Sequence, residues 1–91
     1  MNIRELNRNL KIKLKGNKRV MQIIHPWDLL KFRYVNYLEV MGYGGGYFLQ
    51  EKNGQWETWF QERTTRFEVR KFDSEEEACM YFYSWIVSCF K

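Results

Sequence analysis

Asn53-Gly54 sits between two runs of aromatic and β-compatible residues, Tyr47 to Lys52 and Gln55 to Glu62, and constrains the fold more tightly than any other feature. A type I′ turn needs positive φ at both central positions, which Asn and Gly accept, and it joins antiparallel strands with matching twist. In the second strand Trp56, Thr58 and Phe60 then share one face, while Glu57, Trp59 and Gln61 share the other. Arg63 to Arg66 turns the chain again, and Phe67 to Phe72 returns as a third strand. A three-stranded antiparallel meander is expected.

Helices are expected at both ends. Ile3, Leu6, Leu10 and Leu14 recur at spacings that make one apolar stripe over residues 3–15, with Arg and Lys on the remaining faces. Gly16-Asn17 supplies the residues that end such a helix. At the other end Ser74 and Glu77 form a capping-box pattern, and Glu75, Glu76 and Glu77 lie where the helix dipole favours anions. Ala78, Phe82, Trp85, Ile86 and Cys89 then mark a stripe that packs on the sheet.

The middle of the chain reads less clearly. Val20 to Ile24 is an apolar run too short to type by periodicity. Pro26 suits the first turn of a second helix from about Trp27 to Met41, with Leu30, Tyr34, Tyr37, Leu38 and Met41 on its buried face. The stretch Phe32 to Tyr37 also alternates, so a strand stays open there. Gly42-Tyr43-Gly44-Gly45-Gly46 reads as a flexible connector with Tyr43 at its tip. A phosphate-binding loop would need Lys-Ser/Thr and a helix after it, and here a strand follows with no Lys before Lys52. The fold class is therefore α+β: a meander packed against an N-terminal helix, a second helix and a long C-terminal amphipathic helix. Its 91 residues make one domain, 1–91, because a second core could not be closed with what remains.

Composition narrows the chemistry. Residues 1–35 carry nine Lys/Arg against Glu5 and Asp28, a balance of +7, whereas residues 36–91 carry six basic against nine acidic side chains, −3. Such polarity suggests two faces with different partners or none, rather than one uniformly basic surface. His25 is the only histidine and stands before Pro26, and the adjacent Glu75 to Glu77 have no environment to separate their roles. Cys79 and Cys89, roughly 15 Å apart along one helix, cannot bridge and read as small buried hydrophobes. Metal-ligand spacing is absent and no cofactor is implied. No catalytic constellation results, so the expectation is a non-enzyme. No apolar run approaches 18 residues and the polar start Met1-Asn2-Ile3-Arg4-Glu5 is unlike a signal peptide, so a cytosolic protein with no membrane partner is expected.

From Tyr47 to about Ile86 the chain resembles small bacterial immunity proteins, the cognate inhibitors of polymorphic and contact-dependent toxins. The resemblance is carried by Tyr47, Asn53-Gly54, Trp56, Glu62-Arg63, the run Phe72 to Cys79, and Tyr81-Phe82, with the helix start Asn2 to Leu6 also fitting. It departs from the pattern where Thr64-Thr65 follows Glu62-Arg63 in place of Gly, and in its overall basic charge. The resemblance implies stoichiometric inhibition: tight binding of a toxin C-terminal domain, a nuclease or another toxin acting in the cytosol, over its active site or its substrate or cofactor surface. The partner-binding face expected is the sheet face away from the helices, with Glu57, Trp59 and Gln61 joined by Glu62, Arg63 and the Tyr43 loop. Trp59 on that face is either a second core or an exposed anchor. The alternative is a nucleic-acid-binding or adaptor domain that uses the basic N-terminal half, where Arg8, Lys11, Lys13, Lys15, Lys18 and Arg19 could meet phosphates.

Overall fold

A computed structural model describes all 91 residues. Helix α1 spans Ile3–Lys13. Strands follow at β1 Val20–Ile24, β2 Trp27–Asp28, β3 Arg33–Tyr34, β4 Tyr37–Gly42, β5 Gly46–Lys52, β6 Gln55–Glu62 and β7 Thr65–Phe72, and helix α2 closes the chain at Glu75–Cys89. The fold is α+β: a five-stranded antiparallel sheet ordered β1-β4-β5-β6-β7, with β2 and β3 forming a separate two-stranded ribbon between β1 and β4.

The turn at Asn53-Gly54 forms as its residues require, with φ of 55° and 82° and Lys52 paired to Gln55. That pairing sets every cross-strand neighbour of β5 and β6 by counting outward, since register in a two-residue hairpin follows from the turn. Strand β7 begins at Thr65, two residues before the expected Phe67, after a two-residue loop whose Arg63 has φ of 57°. A bulge interrupts its pairing: Trp59 alone stands opposite two residues of β7, of which Glu68 has φ of 52°. The two-residue turn sets Arg66 opposite Gln61 and Phe67 opposite Phe60, and the bulge then shifts the register so that Arg70 stands opposite Thr58.

The second helix expected over Trp27 to Met41 does not form. Asp28 accepts hydrogen bonds from the backbone N–H of Leu30 (2.9 Å) and Lys31 (3.2 Å), a local turn that competes with helix formation. Beyond it, burial follows a period of two: Leu38 and Val40 are fully buried, whereas Tyr37, Glu39 and Met41 are only partly covered. Of the face proposed for that helix, only Leu38 reaches the core, while Leu30 and Tyr34 are exposed. Val20–Ile24 takes up the role left untyped by its sequence and pairs with β4, making the sheet five strands wide instead of three.

Both helices pack on one face of the sheet. Ile3, Leu6, Leu10 and Leu14 of the first stripe and Ala78, Phe82 and Ile86 of the second meet Leu38, Val40, Leu49 and Trp56 in a single core, with Trp85 and Cys89 at its margin. The helices are tied together at both ends. Glu75 accepts a hydrogen bond from the backbone N–H of Ile3 (2.9 Å), so its carboxylate serves the start of α1 as well as that of α2. At the opposite end Asn17 donates to the Phe90 carbonyl (2.7 Å). Asn2 and Glu5 form a full capping box, a signal present in the sequence but overlooked there, and Ser74 accepts from the Glu77 N–H (3.2 Å) as expected.

One core atom is poorly served. The Thr58 hydroxyl is sealed under α2 with no hydrogen-bond partner. Thr58→Val keeps the shape and removes the unpaired group, so it should raise thermal stability by about 1 kcal/mol in a denaturant titration. An unchanged or lower midpoint would mean the hydroxyl is satisfied in solution.

Candidate partner-binding face

The helices leave the other face of the sheet bare, and that face carries most of the residues singled out from the sequence. Glu57, Trp59 and Gln61 project from β6 on the side opposite Trp56, Thr58 and Phe60, as alternation requires. Trp59 is not an exposed anchor. It is only 6% exposed, because neighbours on the same face cover it. The Phe48 ring of β5, its cross-strand partner, stacks on it at 5.2 Å between centroids and 5° between planes. From the other side the Arg66 guanidinium lies 3.9 Å from the centre of the indole. The result is a second, small aromatic cluster outside the helix-packed core, capped by a cation.

Polar bonds hold this stack. Arg66 is half-exposed and forms an ion pair with Glu57 while it covers Trp59, so one side chain serves both contacts. The Trp59 indole N–H donates to Gln61 Oε1 (3.1 Å), and the Gln61 amide donates onward to the Arg63 carbonyl (3.0 Å). Gln61 thereby joins the cluster to the β6–β7 turn. On the far side of Phe48, Tyr37 packs at 6.3 Å and donates to Glu39 (2.6 Å). Burial, then this bond to a carboxylate, pushes the Tyr37 phenol well above its ordinary range, so it remains a donor at any physiological pH.

Strand direction brings the remaining predicted residues to one end of the sheet. The β4–β5 and β6–β7 connections lie at the same end, but the exposed Tyr43 lines a hollow with Tyr47, Phe60, Cys89 and Phe90 on the helix-packed side and so does not join the bare face. The glycine run is a tight hairpin there, not a loose connector: Gly42 donates to the Gly45 carbonyl at 2.9 Å. Gly45 is needed for close approach, since a Cβ would stand 2.6 Å from the Gln61 carbonyl oxygen and 2.8 Å from the Phe60 ring. Gly45→Val should cost about 1–3 kcal/mol and loosen the Tyr43 tip, readable in a melt and in amide exchange across residues 42–46. Protection unchanged from wild type would refute that reading.

Phe48 and Arg66 are the site residues that the sequence reading missed. Phe48 was recoverable, since counting back from the Lys52–Gln55 pair puts it opposite Trp59. Arg66 was not, because it was read as part of a turn from Arg63 to Arg66, whereas the two-residue turn at Arg63-Thr64 puts it in β7 opposite Gln61. The groups weighed for catalysis lie elsewhere and apart. His25 stacks on Tyr34 at 4.4 Å, and burial lowers its pKa despite a bond to the Val35 carbonyl. Cys79 is fully buried in the core, and the cost of burying a thiolate pushes its thiol up to about 12. Compared with protein-family models, with curated proteins and with solved structures, the chain shows no match.

Proposed function

We propose that this chain is an immunity-type inhibitor that binds a toxin domain one-to-one through the bare face of its sheet. The observation that carries this reading is the locked Phe48–Trp59–Arg66 stack on a face that no helix covers. Trp and Arg anchors held in a single conformation before binding lose little entropy when a partner closes on them. Beside them Glu57 and the turn residue Arg63 offer charged contacts of the kind found around such anchors, whereas Glu62 takes the Phe60 side of β6 and Tyr43 lines a hollow with Phe60 and Phe90. The resemblance of residues 47–86 to immunity proteins supports the same function, and it makes the toxin's active site or its substrate or cofactor surface the place covered. Catalysis has no part in this reading: the Cys79 thiol stays protonated, and His25 is occupied by Tyr34 and Val35.

Nucleic-acid binding through the basic half is the second reading. Exposed Arg8, Lys11, Lys13, Lys15, Lys18 and Arg19 favour it, but they stand on α1 and its loop, away from the stacked aromatics of the bare face. Co-expression separates the two. In cells making the toxin domain encoded beside this chain, wild type and a Lys11→Glu/Lys13→Glu/Lys15→Glu variant should both restore growth. A Glu57→Lys/Glu62→Lys variant should fail. Rescue by the acidic-site variant together with failure of the α1 variant would overturn the assignment.

A further inference from the structure

A second surface, remote in chemistry from the bare sheet face, lies on the β2–β3 ribbon. Its tip exposes Leu29, Leu30 and Phe32 at 76%, 92% and 78%. Apolar side chains this exposed are ordinary on a disordered loop but unusual on a turn that is held in place. Here the turn is held. Asp28 accepts from the N–H groups of Leu30 and Lys31, Phe32 takes the left-handed conformation at φ 52°, and Val35 donates to the Pro26 carbonyl at 2.9 Å. At the base Trp27 meets Tyr34 edge-on at 4.9 Å, and Tyr34 stacks on His25. The ribbon is thus an ordered arm that projects three large apolar groups into solvent.

The exposed charges on the tip itself are basic, whereas Glu5, Glu51 and Glu75 line the hollows at its base. Lys31 and Arg33 alternate with the apolar residues and are exposed, and Arg4 lies over the Tyr34 ring at 5.6 Å. Arg8 lines the same hollow as His25 and Tyr34. The one carboxylate of the ribbon, Asp28, is engaged in the turn. This surface belongs to the first 35 residues, whose balance is +7.

We propose that the β2–β3 tip inserts into an anionic phospholipid bilayer, making the protein a peripheral membrane binder through residues 29–33. Leu29, Leu30 and Phe32 enter the boundary between headgroups and acyl chains, while Lys31, Arg33, Arg4 and Arg8 meet lipid phosphates. Trp27 and Tyr34 then stand at the depth where amphipathic rings settle. A few inserted apolar groups with adjacent basic residues suffice for such binding. A ribbon of two residue pairs is too small for a stable protein interface, which needs about 800 Å² from each partner. Pairing of two copies tip to tip would set Lys31 and Arg33 against their own likeness, which disfavours it. The inference goes beyond the inhibitory function, does not depend on it, and departs from the expectation of no membrane partner. No helix is long and apolar enough to cross a membrane, and none is required.

Vesicle co-sedimentation tests this directly. The chain should bind vesicles of equal parts phosphatidylglycerol and phosphatidylcholine, bind pure phosphatidylcholine at least tenfold less, and weaken as salt rises from about 50 mM to about 500 mM. Leu29→Ser/Leu30→Ser/Phe32→Ser should lower the bound fraction at least tenfold without changing the circular dichroism melt, since these side chains touch little else. A Leu30→Trp variant gives an independent readout: its emission should shift to the blue on anionic vesicles and be quenched by brominated acyl chains. Absence of wild-type binding to anionic vesicles would overturn the proposal and leave the tip to a protein groove. Binding that the triple variant retains would overturn it in favour of charge alone. A wild-type dimer that the same three substitutions dissociate would overturn it in favour of self-pairing.

Discussion

Phe82→Ala should remove a large part of the stability of this domain. Phe82 is fully buried where α2 meets the sheet, and it packs edge-on against Trp85 at 6.0 Å. Losing an aromatic ring from such a site costs about 3–5 kcal/mol, because the transfer energy is lost and a cavity stays behind. A domain of this size commands roughly 5–15 kcal/mol in all. The melting midpoint should therefore fall by roughly 15 °C or more, at 4–8 °C for each kcal/mol. A drop of only a few degrees would show that the helix-packed core is not where the stability lies.

The second large effect belongs to the bare face. Trp59→Ala should weaken toxin binding by at least about 2 kcal/mol, roughly thirtyfold, because it removes the ring that holds Arg66 and Phe48 in place on the bare face. At 6% exposure the indole also stabilises the fold, so this variant should lower the melting midpoint too. Trp59→Ala alone therefore cannot separate anchoring from packing. Arg66→Ala does so. Its guanidinium is half-exposed, its ion pair with Glu57 is worth under about 1 kcal/mol, and its loss uncovers the indole without removing it. Arg66→Ala should lower the melting midpoint far less than Trp59→Ala and still cost at least tenfold in affinity. If it changes neither, the partner sits elsewhere on the molecule.

Local signals with a single physical outcome were legible in the sequence. Asn53-Gly54 needed positive φ twice and set the β5–β6 register, while the Ile3 to Leu14 and Ala78 to Ile86 stripes had one face to bury. The region from Val20 to Met41 was not legible, because its competing signals depend on contacts distant in sequence. Pro26 and the apolar spacing suggested a helix, but Asp28 captured two backbone donors and β5 offered β4 an edge to pair with. Trp59 shows the same limit at the site. Its face followed from alternation, whereas its cover did not, since Arg66 had been read as part of the turn and not as the second residue of β7.

Two surfaces emerge from opposite halves of the chain. A locked aromatic and cation stack lies on the bare sheet, and an apolar tip ringed with basic residues lies on the β2–β3 ribbon.

Isothermal titration of the purified chain against the toxin domain encoded beside it tests the central claim most directly. The inhibitory function predicts one-to-one stoichiometry, a dissociation constant of about 1 nM, and loss of toxin activity at the equivalence point. No heat at protein concentrations of about 50 μM, with the toxin still active, would contradict it.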